Sequence, residues 1–191
     1  LGLVAASTLA GGAPAKGNPR LPGARPEIYA YGMRDPQGLA LDGKGRVWAM
    51  DHGPLGGDAV KLVLPGRNYG WPLIAYGLGN DRKPVGDGAT AKPGLEQPVY
   101  YYDPAIGASG LARYEGRLFP EWRGNLLGAA LAGKHVSRLV LKGDRVVAEE
   151  RLFTEVNERI RQVVVGPEGA VYLLTDSAQG LILKVTPKPA G

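Results

Sequence analysis

Two stretches of this chain repeat one pattern at a fixed separation, and that repeat limits the possible folds more than any other feature. LALDGKGRVWAM (39–50) and VVVGPEGAVYLL (163–174) lie 124 residues apart, each an apolar run, a short turn and a second apolar run. Gly45 falls over Gly169, Val47 over Val171 and Trp48 over Tyr172. The turns DGKG and GPEG supply the residues that tight hairpins need. A third, looser copy begins at SGLARYEG (109–116) and runs on through GNLLGAALAG and SRLVLKGDRVV. Hairpin units that recur, each unable to bury its own faces, predict an all-β propeller or a related β-array.

The chain has 30 glycines and 16 prolines among 191 residues, so turns are frequent and strands short. Strands are expected at 38–41, 46–50, 58–64, 111–115, 125–131, 136–142, 145–151, 161–165, 170–175 and 181–186, with 65–98 as a long polar connection. No stretch has helical periodicity. Blades of about 40 to 50 residues would give a partial ring of about three to four in a single domain. Its parts are 1–37 (the end of a preceding blade and a connection), 38–98 (a blade and the long loop), 99–160 (a blade) and 161–191 (a blade). The net charge of +5 comes from scattered Lys and Arg with no basic run, which argues against nucleic acid as a partner. The absence of cysteine excludes a disulfide framework and a Cys-based zinc site, and leaves the compartment open. No apolar run approaches the roughly 20 residues of a membrane-spanning helix.

YAYGMRDPQGLAL, DHGPLGGDAV and GRNYGWP resemble the soluble pyrroloquinoline quinone (PQQ)-dependent sugar dehydrogenases, the glucose, aldose and sorbosone dehydrogenase family. EQPVYYYDPAIGASGLARYEG, FPEWRGNLLGAALAG, ERIRQVVVGPEGAVYLLTD and ILKV continue the match in the family's order from about residue 17. The resemblance implies the C-terminal half of a six-bladed propeller, exported to the periplasm or secreted. It implies oxidation of the anomeric carbon of aldoses with PQQ and Ca2+, and transfer of electrons to a quinone or other acceptor. The opening LGLVAASTLAGGAPA imitates a signal peptide but lacks Met and a basic start, and is read instead as a strand ending the preceding blade.

PQQ is a flat quinone with three carboxylates, and the planar guanidinium of arginine binds carboxylates through paired hydrogen bonds. By the resemblance, Arg34, Asp35, Gln37, Arg159 and Arg161 form the cofactor site, and the backbone carbonyls of Gly53 and Pro54 ligate Ca2+. Asp35 stands where the family usually has Asn, and an ionised Asp would repel the cofactor's carboxylates. Met33 replaces a frequent His. Asp51 replaces a common Glu, and the family's Arg-Gly-Gly-Asp-Glu-Val-Asn becomes Leu55-Gly56-Gly57-Asp58-Ala59-Val60-Lys61, which weakens any further calcium site there. Lys134 lies in a loop where some members place a cofactor Lys, although direct alignment puts Ala132 nearer that position. Trp48 is expected to pack in the core and Tyr76 to stand at a rim.

The family's catalytic base, a His, has no counterpart: His52 and His135 are the sole histidines and neither matches it. The catalytic residue therefore stays unassigned. The expected partners are an aldose, an electron acceptor and either a missing propeller half or a second copy. The alternative is a non-catalytic propeller remnant that binds a sugar or a protein.

Overall fold

The computed structural model describes residues 2–6 and 14–188. Its strands are β1 (Gly2–Ala5), β2 (Ile28–Met33), β3 (Pro36–Leu41), β4 (Val47–Asp51), β5 (Leu55–Gly56), β6 (Ala59–Val63), β7 (Gly77–Leu78), β8 (Tyr100–Tyr101), β9 (Ala108–Arg113), β10 (Leu126–Ala130), β11 (His135–Lys142), β12 (Arg145–Leu152), β13 (Ile160–Val165), β14 (Val171–Thr175) and β15 (Ile182–Val185). The only helical pieces among the described residues are 3-10 turns at 120–122 and 154–156. All ten expected strands form. β2 is an addition, because the segment read as a connection pairs antiparallel with β1. The remainder of the expected first strand, 7–10, lies outside the described residues. The stretch 65–98 is irregular apart from β7.

Three antiparallel meanders result: β3-β4-β6-β8, β9-β10-β11-β12 and β13-β14-β15, beside the β1-β2 ribbon. The repeat holds strand by strand, since β3 and β13, and likewise β4 and β14, begin and end 124 residues apart. Gly45 and Gly169 close the two turns with φ of 73° and 90°, a conformation that costs a side chain free energy.

The middle strands alternate between two cores, which explains why their sequences read as unbroken apolar runs. Trp48 and Met50 of β4 join Leu111, Leu126, Ala130 and Leu139, whereas Ala49 turns to Val4, Ala30 and Met33 on the other face. In β10, Leu127 and Ala129 face Ile160, Val163 and Leu173 instead. Side chains on a strand alternate with period two, so the middle meander is sandwiched between the other two. Trp48 is fully buried, as expected. The first strand of each meander approaches the next closely: a Cβ on Gly38 would lie 2.4 Å from the Leu111 amide nitrogen and 2.6 Å from the Ser109 carbonyl oxygen.

All three first strands carry one extra residue near their start. Pro36 pairs with Asp51 and Gly38 with Met50, which leaves Gln37 unopposed. Ile160 pairs with Thr175 and Gln162 with Leu174, which leaves Arg161 unopposed. In β9 the extra residue falls at 109–110, between Ala108↔Ala130 and Leu111↔Gly128. A bulge bends the strand and re-aims a side chain out of the regular alternation, and such bulges concentrate beside functional sites.

At the opposite end of β3, the Asp42 carboxylate accepts hydrogen bonds from the Lys44 and Arg46 amides, the Arg46 guanidinium and the Trp48 indole. Burial alone would raise its pKa. The Arg46 and Lys44 amides, then the Arg46 side chain and Trp48, outweigh that and hold the carboxyl well below the usual carboxylate range. A depressed folded pKa contributes stability that is present above the unfolded pKa and lost as pH falls through the folded value. Asp42→Asn is therefore expected to cost about 1–2 kcal/mol at neutral pH. Urea titrations should show this gap shrinking as pH falls below about 4. A gap independent of pH would contradict the assignment.

Candidate active site

Arg34 and Asp35 form the two-residue link between β2 and β3, and the adjoining end of β4 runs into His52, Gly53 and Pro54. Gln37 and Arg161 occupy equivalent bulges in β3 and β13, and Arg159 stands just ahead of β13. The structure brings these groups to one end of the first strands. Arg161 Nη1 lies 3.5 Å from Gln37 Oε1, and Gln37 Nε2 donates to Asp35 Oδ2 at 2.9 Å. Ser109, at the equivalent place in β9, is buried between them, its hydroxyl 3.0 Å from the carbonyls of Ala129 and Ile160.

One member of this cluster was not expected. Asp176 Oδ2 accepts from Arg159 Nη2 at 2.9 Å and from Arg161 Nη2 at 3.1 Å. The Arg159 guanidinium first, and then the Arg161 charge, hold its carboxyl below the ordinary value. Asp176 lies 124 residues after His52, so the repeat itself carried the signal for it. With two guanidiniums on one carboxylate, this side of the site keeps an excess positive charge. Asp35, expected to oppose an anion, is engaged with Gln37 instead.

The Gly53–Pro54 turn is held from below by Asp58, which is 1% exposed. Its carboxylate accepts the amides of Gly53 at 2.8 Å and of Ile106 and Ala108 at 2.9 Å each. Asp58 ties the Gly53–Pro54 turn to the start of β9 through three backbone donors. The Gly53 carbonyl is itself engaged, because Arg34 Nη1 donates to the carbonyls of His52 at 2.9 Å and Gly53 at 3.3 Å. The Arg34 guanidinium also lies 5.7 Å from the Trp71 ring centroid.

His52 Nδ1 is 2.7 Å from the Ala108 carbonyl. A carbonyl only accepts, so Nδ1 is the donor. His135 is buried, with Nδ1 on the Gly133 carbonyl and Nε2 without a partner. Lys134 donates to Asn157, and no hydrogen bond joins it to the arginine cluster among the described residues. Tyr76 stacks on Tyr101 at 4.3 Å and donates to Gln97, which places it at the rim of a cavity shared with Arg34 and Trp71.

The donor set was tested against the implied groups. Three arginines and an amide at one end of adjoining strands suit a multiply carboxylated planar ligand. For Ca2+ the chain offers the carbonyls of Gly53 and Pro54, hard oxygens of the right kind. Among the described residues no group of three or more His, Cys, Asp or Glu side chains could hold a metal ion, so further ligands would come from the cofactor.

Stacked antiparallel meanders mark the chain as a propeller-type protein, and the starts of its first strands form a polar, arginine-bearing end. The family model for glucose/sorbosone dehydrogenases matches residues 3–184, and the chain belongs to that family. It is 40% identical over 169 residues to the aldose sugar dehydrogenase YliI of Escherichia coli K12, a match covering 87% of this chain and 45% of that protein. A crystal structure of a glucose dehydrogenase superimposes with a TM-score of 0.87 and 48% identity over 94% of this chain and 53% of the other. The PQQ-bound aldose sugar dehydrogenase of Streptomyces coelicolor gives a TM-score of 0.67 and 32% identity, over 90% and 48%. The chain thus spans about half the length of these relatives.

Proposed function

We propose that this chain supplies the cofactor-binding half of a PQQ- and Ca2+-dependent dehydrogenase that oxidises the anomeric carbon of aldoses. The observation that carries the reading is the convergence of Gln37, Arg159 and Arg161, from sequence positions more than a hundred apart, on one end of the fold, with Arg34 at the same end on the link between β2 and β3. In this reading the three sheets and the β1-β2 ribbon form a partial ring of about three to four blades, in a protein that works in the periplasm or outside the cell. The rest of the ring, or a second copy, completes the site.

Bound PQQ would supply the two-electron acceptor. Arg159 and Arg161 would then hold carboxylate and developing negative charge, with Asp176 fixing their orientation. Gln37 offers an amide donor once it releases Asp35. Gly53 and Pro54 would hold Ca2+ through their carbonyls, and Arg34 would leave Gly53 to pair with a cofactor carboxylate. His52 stands on this rim with Nδ1 on the Ala108 carbonyl; no residue of this chain is assigned as the base that takes the sugar's proton.

The test is an absorbance titration of the chain with PQQ, with and without Ca2+, followed by dye reduction with glucose and other aldoses. PQQ binding that strengthens with Ca2+ is expected. Arg159→Ala and Arg161→Ala should each weaken it by about tenfold or more, the scale of one charge-assisted hydrogen bond. Binding that ignores both substitutions would refute the site. PQQ binding without turnover would locate the missing base outside this chain.

A further inference from the structure

We propose that Lys61 is a positioning residue for the cofactor site: its buried ammonium holds Asp51 in place, and Asp51 in turn fixes the Arg34–Asp35 turn and the direction of the Arg34 guanidinium. The proposal rests on reading Arg34 as a cofactor ligand. Lys61 lies in β6 with its side chain only 9% exposed, and its Nζ is 2.5 Å from Oδ2 of Asp51, itself 6% exposed. The same carboxylate accepts the Asp35 amide at 2.7 Å through Oδ1 and the Arg34 amide at 3.2 Å through both oxygens. Asp51 therefore joins one buried cation to the two backbone donors of the link between β2 and β3. Arg34 then reaches from that link to the carbonyls of His52 and Gly53.

Charge explains why the ammonium matters. A buried carboxylate that loses its cation is left uncompensated, so Asp51 would move towards water and away from the Arg34 and Asp35 amides. The pair lines a cavity of about 40 Å3 that it shares with Arg34, Tyr69 and Trp71. The Tyr69 ring, 5.7 Å from Nζ, closes one side and offers its face to the cation.

The sequence gains meaning from this pair. Asp51 and Lys61 each depart from the pattern that the resemblance implies, Glu and Asn, and here the two departures meet. A shorter acid and a longer base span the same gap as a longer acid and a shorter amide. Lys61, which reads in the sequence as a lost amide, is in the fold the partner that makes Asp51 workable.

The experiment follows the 1H–15N resonances of the Arg34 and Asp35 amides in the full chain, alongside PQQ titration. Lys61→Met is expected to shift both amides and to weaken PQQ binding about tenfold. Lys61→Arg should preserve the amide positions, and the double change Asp51→Glu with Lys61→Asn should recover binding lost in Lys61→Asn alone, the non-additivity of a coupled pair. Lys92→Met, at an exposed pair on the long loop, should leave both amides and binding unchanged. If Lys61→Met does not fold, the same resonances are read in Lys61→Gln, which fills the strand and donates without a charge. Unshifted Arg34 and Asp35 amides in a folded charge-removing variant overturn the clamp, whatever PQQ does. Shifted amides in a chain that never binds PQQ overturn the cofactor role and trace the failure to the reading of Arg34.

Discussion

Asp58→Ala should destabilise the fold by about 4–6 kcal/mol, the largest loss expected from any single polar side chain in this protein. Three amides, those of Gly53, Ile106 and Ala108, donate to one buried carboxylate, and Ala leaves all three without an acceptor. Each unsatisfied buried donor costs about 1–3 kcal/mol, less where water can follow into the space vacated. Asp58→Asn separates charge from shape. Its carbonyl oxygen can accept on one side while its amide faces donors on the other, so a loss of about 2–4 kcal/mol is expected. Guanidinium unfolding measures both. A loss below about 1 kcal/mol for Asp58→Ala would mean that the three amides find other partners, and that Asp58 is not what holds the Gly53–Pro54 turn.

Gly38→Ala should cost about 3 kcal/mol, at the upper end of overpacking effects, and Gly38→Val more. The new Cβ would collide with the backbone of β9 at Leu111 and Ser109, and β9 cannot retreat because β10 and β13 hold its other sides. Gly43→Ala is the control, since nothing lies within 4 Å of a Cβ built there. Its effect should stay within about 0.5 kcal/mol. Equal effects of the two substitutions in thermal unfolding would show that the first strands are not packed as closely as described.

Much of the fold was legible because apolar runs and Gly turns report local structure. The elements missed are those with non-local causes. β8 is two tyrosines paired with β6, and β2 becomes a strand by pairing with β1, far away in sequence. Arg34, Gln37, Arg159 and Arg161 could be grouped from the sequence only by resemblance, and the bulges at Gln37 and Arg161 explain physically why those two side chains meet. Asp176 was within reach of the repeat, one offset beyond His52. The bond from Arg34 to the Gly53 carbonyl was not, because it depends on where a long side chain settles when three elements converge.

The recurrent bulge also separates what can vary from what cannot. In a regular strand each side chain belongs to one face or the other, and in β3 and β13 one of those faces is core. An unopposed residue belongs to neither, so its identity is not dictated by packing of the sheet. Gln37 and Arg161 already place an amide and a guanidinium at the same backbone position in two copies of one hairpin. New chemistry can enter such a position by a single substitution, with the surrounding alternation of apolar residues left as it stands.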